Sequence, residues 1–360
     1  MLKQNVVNEL QKTILVAPLN WGLGHSTRCI PIIRALEENG FTPILASDGV
    51  ALKMLQKEFP HLILVELPSY QIEYAKEAKN FKWVILKNSP KMLKAIFREK
   101  KMVKNLIQQY HIKGIISDNR MGVYSRKIPS VFISHQLRVL SGKTTWFSTK
   151  FHQYFIRKFD ECWVPDYKYR PNLTGKLGHI KNSNLNLVYL GPLSRFEKQD
   201  LPIQYSLMVL LSGPEPQRTM LEQKLIEELK DYPEKAIFIR GVLESEQRKE
   251  IKGNITYYNF MTSKELETAI NESELIISRS GYTTVMDLAK LEKMAFFIPT
   301  PGQFEQEYLA KRYKYYSMVP YATQENFNLE EVFQIKFYEG FPLVKEQTNW
   351  KKLFELFESE

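Results

Sequence analysis

The stretch "TILVAPLNWGLGHSTRCIPIIRALEENG", Thr13 to Gly40, sets how the rest of the chain reads. Its first seven residues form an apolar, β-rich run, as expected of a strand buried on both faces. From Ser26 onward the apolar residues recur at helical spacing, and Gly40 stands where a glycine would close the helix. Between them lies a turn containing Gly22 and Gly24. Strand, glycine turn and helix open a βα unit, and such turns lie at the carboxyl ends of strands, where open α/β sheets bind ligands. The turn needs its glycines, but it does not need His25 or Arg28. Gly22 and Gly24 let a backbone approach a ligand closely, and the helix N-terminus offers free N–H groups to an anion. His25 is a candidate base, and Arg28 a candidate partner for a phosphate or another loop. A plain turn with a histidine cap explains the same letters, and spacing alone does not choose.

The same rhythm continues outward. Strand patterns at 42–47, 62–67, 113–118, 129–134 and in "ECWVPD" alternate with helical patterns at 50–59, 83–110 and in "TWFSTKFHQYFIRKF". The irregular stretch "KYRPNLTGKLGHIKNSN" interrupts the pattern, which restarts with "SLMVLLSG" (206–213) and runs on to "FEQEYLAKRYKYY". Alternation of this kind implies parallel sheets covered by helices on both faces. The fold class is therefore α/β, with two doubly wound Rossmann-like domains. The predicted division is 1–196, 197–335 and a helical tail, 336–360, that packs back on the first domain.

Lys and Arg total 50 against 40 Asp and Glu, a net charge of +10 that favours anionic partners. The two cysteines, Cys29 and Cys162, suit a reducing compartment and are too few for a structural zinc site. No signal-type or membrane-spanning apolar run is present, which predicts a cytoplasmic protein with at most peripheral membrane contact.

Three further loops follow strand patterns in the second half. In "LLSGPEPQRT", Ser212 and Gly213 sit where a turn meets a helix; the two prolines make a rigid turn an equal reading. In "SRSGYTTVMD", Arg279, Ser280 and Gly281 of the candidate donor-binding loop lead into a helix, and the backbone amides from Ser280 through Tyr282 and Thr283 to Thr284 would converge on a diphosphate, helped by the helix dipole. Asp287 follows about one turn into that helix, within reach of a sugar hydroxyl pair or simply favoured there by the dipole. In "IPTPGQFEQE", Gln306 opens the next helix.

Taken together, "ISRSGYTTVMDLAKLEKMAFFIPTPGQFEQEYLAKR" resembles the donor-binding segment of GT-B glycosyltransferases, in particular the group of the lipid II-forming N-acetylglucosaminyltransferase and monogalactosyldiacylglycerol synthase. The resemblance implies two domains facing across a cleft, with Ser280, Gly281, Thr283 and Thr284 on the donor diphosphate, Asp287 on the ribose of UDP and Gln306 on the sugar. "GLGH" is similar to the same family's first glycine loop, whose histidine lies on the acceptor side. The longer "GLGHSTR" also resembles the loop of the UDP-sugar hydrolase of pseudaminic acid synthesis, whose histidine assists attack on the anomeric carbon. Three departures stand out: Asp287 replaces the usual Glu, the glutamine pair is reduced to "EQE", and "SGPEPQR" replaces the second glycine loop.

The implied activity is inverting transfer of a hexose or N-acetylhexosamine from a UDP-sugar to a lipid-linked or glycan acceptor. It needs a base on the acceptor hydroxyl and stabilisation of the departing diphosphate. His25 is the first candidate base. Asp118, ending "KGIISD", orients or replaces it, or else makes an Asx turn. His135, in "VFISHQL", lines the acceptor side with Gly22, Gly24 and Arg28. No DxD-type pair occupies a donor loop, so helix dipole and basic side chains rather than a metal would neutralise the leaving group, and no cofactor is expected. The run "FKWVILKNSPKMLKAIFREKKMVKNLIQ" mixes lysines with Trp83, Ile85, Leu86, Met92, Leu93, Ile96 and Phe97. It reads as a solvated helix packed on the sheet or as a surface resting on the anionic inner face of a membrane. The competing functions are a UDP-sugar hydrolase and a nucleotide- or nucleic-acid-binding protein. The last is disfavoured because the chain has no basic low-complexity arm or RNP-like aromatic motif.

Overall fold

The computed structural model describes residues 12–70, 81–181, 183–242, 244–342 and 348–358, with residues 81–90 described by backbone alone. The expected α/β architecture is present as two sheets. The first contains β1 (Lys12–Pro18), β2 (Phe41–Ser47), β3 (Ile63–Glu66), β4 (Gly114–Asp118), β5 (Ser130–Ile133), β6 (Glu161–Val164) and β7 (Leu187–Tyr189). Its order is β3-β2-β1-β4-β5-β6-β7, parallel throughout. The second contains β8 (Tyr205–Leu210), β9 (Ala236–Ile239), β10 (Lys249–Lys252), β11 (Ile255–Tyr258), β12 (Ser273–Ser278) and β13 (Met294–Phe297), ordered β10-β11-β9-β8-β12-β13. Only the edge pair β10–β11 is antiparallel.

Most crossovers are helical. In the first domain they are α1 (Gly24–Glu38), α2 (Gly49–Glu58), α3 (Phe81–Tyr110) and α4 (Thr145–Ile156). In the second they are α5 (Gln217–Glu228), α6 (Ser263–Asn271) and α7 (Tyr282–Lys290), and α8 (Phe304–Tyr315) follows the last strand. Ile14, Leu15, Val16 and Ala17 of β1 are all fully buried, because helices cover both faces of a parallel sheet. The last helix, α9 (Trp350–Phe354), returns to the first domain: Phe354 meets Phe41 edge-on at 5.5 Å, and Phe357 lies 6.2 Å from Trp163.

Strand order turns back on itself between β1 and β4 in the first sheet and between β8 and β12 in the second. At such a switch point the loops leaving two neighbouring strands diverge and open a crevice. The chain places "NWGLGH" and Asp118 at the first of these points. It places Ser212–Gly213 and Arg279–Gly281 at the second.

The two domains are closed on each other. One apolar cluster runs from Ile14 and Trp163 through Tyr167 and Leu173 to Tyr282, Met286 and Tyr313. Polar contacts reinforce it: Tyr282 donates to the Pro165 carbonyl at 2.6 Å, and Arg312 donates to the Asn172 carbonyl at 2.9 Å.

Candidate active site

The site is built on three residues that the fold brings together from 25, 28 and 118. His25 and Arg28 are three apart in the first turns of α1 and therefore share a face. Asp118 ends β4, which pairs with β1, so its carboxylate points into the same crevice. His25 Nδ1 lies 2.9 Å from Asp118 Oδ1. Arg28 donates through Nε to Asp118 Oδ2 at 2.5 Å and through Nη2 to Oδ1, a two-pronged pair. Burial alone would raise the Asp118 carboxyl, but Arg28 and His25 beside it hold it well below the usual carboxylate range. Burial lowers the His25 pKa and Arg28 adds to the effect, while Asp118 partly restores it. The imidazole is thus neutral near pH 7. Arg28 Nη2, which donates to the same Asp118 oxygen, also lies 2.8 Å from His25 Nδ1; in the tautomer that donates Nδ1–H to Asp118 the Nε2 lone pair is available, and no described residue hydrogen-bonds Nε2.

A second buried cation holds the loop from behind. Arg120, fully buried, pairs with Asp48 and, at 2.7 Å, with Glu99, and donates to the Pro18 carbonyl at 2.9 Å. Asp48 in turn accepts from Asn20 at 3.1 Å. The glycine loop is therefore anchored at Pro18 and Asn20 while Gly22 adopts φ +74°, a conformation open to glycine and costly for other residues.

Across the cleft stands α7. Gly281 is its N-cap, and no side chain caps the helix there, so its first amides are free to meet an anion. A Cβ added at Gly281 would meet nothing within 4 Å, so this turn borders open space. Gly213, at φ +112°, lies beside Thr300 Oγ1, which is buried without a hydrogen-bond partner among the described residues. The two lips touch: Thr283 Oγ1 donates to the Gly24 carbonyl at 3.2 Å.

Residues 217–333 match the glycosyltransferase family 28 C-terminal domain. That domain makes the protein an enzyme of the glycosyltransferase class. An uncharacterized glycosyltransferase of Methanopyrus kandleri is 20% identical over 295 residues, covering 78% of this chain and 83% of its own length. The solved structure of a glycotransferase of kitacinnamycin shares the fold with a TM-score of 0.60 at 13% identity, over 90% of each chain. MurG of Acinetobacter baumannii does so with a TM-score of 0.53 at 14% identity, over 96% of this chain and 99% of its own. The GT-B architecture, two Rossmann-like domains, is therefore the fold of this glycosyltransferase.

Within it, several expected donor residues turn their side chains inward. Arg279 is buried and donates to the carbonyls of Ile298, Pro299 and Gln217; burial lowers its pKa to about 10. Its guanidinium braces three loops. Ser280 donates to the Gln306 carbonyl at 2.9 Å. Gln306 accepts from the Thr300 amide at 2.8 Å and donates to Gln303 at 2.7 Å, so its amide ties its own loop together. Asp287 accepts from Ser194 Oγ at 2.6 Å beside Arg195, in the connection between the domains. A ribose contact would have to share that carboxylate, whose pKa burial raises to about 6 against the pull of Arg195. Ser212 and Gly213 are exposed, and Thr283 and Thr284 partly so.

His135, expected on the acceptor side, is buried between the domains. Its Nδ1 lies 2.9 Å from Arg28 Nη1, its Nε2 lies 2.9 Å from Glu305 Oε1, and its ring stacks on Tyr282 with centroids 4.4 Å apart. Glu305 also accepts from Gln136. The sequence reading missed Glu305, which stands beside Gln306 in "FEQE", because its partners lie some 170 positions away. It missed Glu99 because a charge in a basic helical stretch resembles a solvated face, and Arg120 because it stands in the loop after β4 with its partners far away in sequence. Of the α3 residues singled out, Trp83, Ile85 and Leu86 lie outside the described side chains. Ile96 is buried, Met92 half-buried, and Leu93 and Phe97 exposed. Among the described residues no group of three or more His, Cys, Asp or Glu is placed to hold a metal, and no helix is long and apolar enough to cross a membrane.

Proposed function

We propose that this glycosyltransferase moves a hexose or N-acetylhexosamine, with inversion, from a nucleoside-diphosphate sugar to an acceptor hydroxyl. The observation that carries the reading is the meeting of two switch points: a neutral histidine with a free Nε2 on one lip and an uncapped helix N-terminus on the other. The resemblance makes UDP the expected nucleotide. His25 Nε2 takes the acceptor proton as the hydroxyl oxygen attacks the anomeric carbon, and Asp118 holds the resulting imidazolium. The α7 amides at Gly281–Thr284 receive the charge of the departing diphosphate without a metal. The buried, unpartnered Thr300 hydroxyl beside Gly213 gives a donor oxygen a place to bond.

The test is a panel of UDP-, GDP- and dTDP-sugars, scored by thermal shift and then by turnover with candidate acceptors. UDP-sugars should stabilise the protein most. His25→Ala should lower turnover by about 10²–10⁴-fold while nucleotide affinity stays within about twofold. Full activity in that variant would place the base elsewhere. The acid limb of the wild-type turnover profile should have its midpoint below 6.5, because burial lowers the His25 pKa. Nε2 is equally placed to activate water, as the "GLGHSTR" resemblance suggests. Rapid, stoichiometric release of free sugar without acceptor would favour the hydrolase.

A lipid-linked acceptor and peripheral contact with an anionic membrane belong to the same proposal. The exposed Leu93 and Phe97 stand among the lysines of α3. Failure of anionic vesicles to sediment the protein at low salt would remove the membrane part and leave the transferase reading intact.

A further inference from the structure

Outside the cleft, the first domain holds a hollow of about 890 Å³ between α4 and the loop that follows β6. One wall is a single face of α4: residues 145, 149, 153 and 157 recur every four positions and line it together, while Phe155 and Ile156 turn into the core. The other wall is formed by residues 176, 179–181, 183 and 184, and the Arg138 amide ties this loop to its neighbour by donating to the Leu177 carbonyl at 2.9 Å.

The lining carries five cations, Arg138, Lys150, Arg157, Lys176 and Lys181, and no carboxylate. Among the described residues none of the five is in an ion pair, although 18 such pairs form elsewhere in the same chain. Asp166, behind His179, is buried and saturated by the amides of Tyr167, Leu173 and Thr174, so it does not neutralise the hollow. All five are exposed, but like charges gathered around one concavity repel one another unless an anion joins them, and together they set up a field that attracts one. The volume lies in the range of ligand sites and far exceeds that of a single ion.

We infer that this pocket binds a phosphate-bearing ligand of diphosphate size or larger, held by Arg157, Lys150, Lys181 and Arg138. Thr145 and Lys176 also line a smaller hollow of about 290 Å³ that reaches Phe304, Glu307 and Tyr308 of α8. Arg138 lies three residues beyond His135 on the same loop. A ligand anchored at the basic wall would therefore extend toward the cleft, as the anionic tail of an acceptor would. Binding itself does not depend on the transferase reading.

The experiment is titration of the full chain with sodium pyrophosphate, followed by calorimetry and by tryptophan fluorescence, since Trp146 lines the hollow. Saturable binding that weakens with salt is expected. The double variant Arg157→Gln/Lys181→Gln should weaken it at least tenfold, and Lys264→Gln, on the exposed face of α6, should leave it unchanged. A parallel arm uses phosphatidylglycerol vesicles against phosphatidylcholine vesicles. Loss of sedimentation in the double variant, with no binding of free pyrophosphate, would assign the phosphate to a lipid headgroup and still support the pocket. Binding that survives in the double variant and disappears in Gly281→Val would place the anion at α7 and overturn the inference. So would an absence of binding in both arms. Circular dichroism of the double variant, whose changed residues are both exposed, separates lost binding from lost fold.

Discussion

The two glycine loops that face each other across the cleft occupy equivalent places in their sheets and do opposite things with their side chains. At the first switch point the side chains carry the chemistry. His25, Arg28 and Asp118 are all buried or nearly so, and each is bonded to another member of the group. At the second, Arg279, Ser280 and Gln306 spend their polar atoms on neighbouring loops, leaving an uncapped helix end and open space at Gly281. One loop offers titratable groups and the other offers backbone. That is the division expected between the side that must move a proton and the side that must hold a diphosphate.

The largest effect should come from breaking the charged lip. Asp118→Ala leaves the Arg28 guanidinium buried without its carboxylate, and truncating one partner of such a pair costs about 3–5 kcal/mol. Urea denaturation should show a loss of that size. Asp118→Asn keeps the volume and should lose less, but it removes the carboxylate that raises the His25 pKa. Its acid limb should therefore move to lower pH than that of the wild type. A loss below about 1 kcal/mol for Asp118→Ala would mean that the first loop, like the second, is held by backbone alone.

The contrast also explains what could and could not be read from the letters. Parallel strands buried on both faces appear as apolar runs, so β1, β4, β8 and β12 were legible, and with them the loops that follow. β10, "KEIK", was not: all four residues are exposed on an antiparallel edge, and no alternation marks them. β7 has three half-buried residues, too short a run to stand out from its irregular surroundings. His25 and Asp118 were legible because each ends or follows a strand. Glu305 was not, since its role comes from domain closure, which no local pattern encodes. Asp287 and Gln306 were named from a resemblance; the atoms they bond to depend on packing around Ser194 and Thr300 that only the folded chain shows.

Glycine substitutions sharpen the comparison at smaller scale. A Cβ at Gly24 would come within 2.7 Å of Thr283 Oγ1, forcing that hydroxyl off the Gly24 carbonyl. Gly24→Ala should cost about 1–2 kcal/mol of stability and loosen the contact between the lips, seen as a larger radius of gyration in solution scattering. Gly281→Ala should cost no more than about 1 kcal/mol, since its φ of −68° suits alanine and the space is empty. It should nevertheless weaken nucleotide binding about tenfold, because the added methyl occupies the space a diphosphate needs. Unchanged nucleotide affinity in Gly281→Ala would remove the α7 turn from the donor site.

The smallest effect lies at the connection between the domains and is one of sign. Burial raises the Asp287 carboxyl to about 6, above its ordinary value of 3.8. Between those values the folded chain holds a proton that the unfolded chain has released. The carboxyl's favourable contribution is therefore fully present below pH 3.8 and is lost as pH rises through about 6. Discounted for the solvent that reaches this partly buried group, the loss is on the order of 1 kcal/mol. Asp287→Asn keeps the oxygen that accepts from Ser194 and cannot ionise. Relative to the wild type, its melting temperature should therefore improve between pH 4 and pH 7, with the difference levelling off above about 7. A difference of opposite sign would mean that Arg195 dominates and that the carboxylate, not the acid, is the form the connection prefers. In that case Asp287 would stand with the charged groups of the first loop rather than the backbone-serving groups of the second.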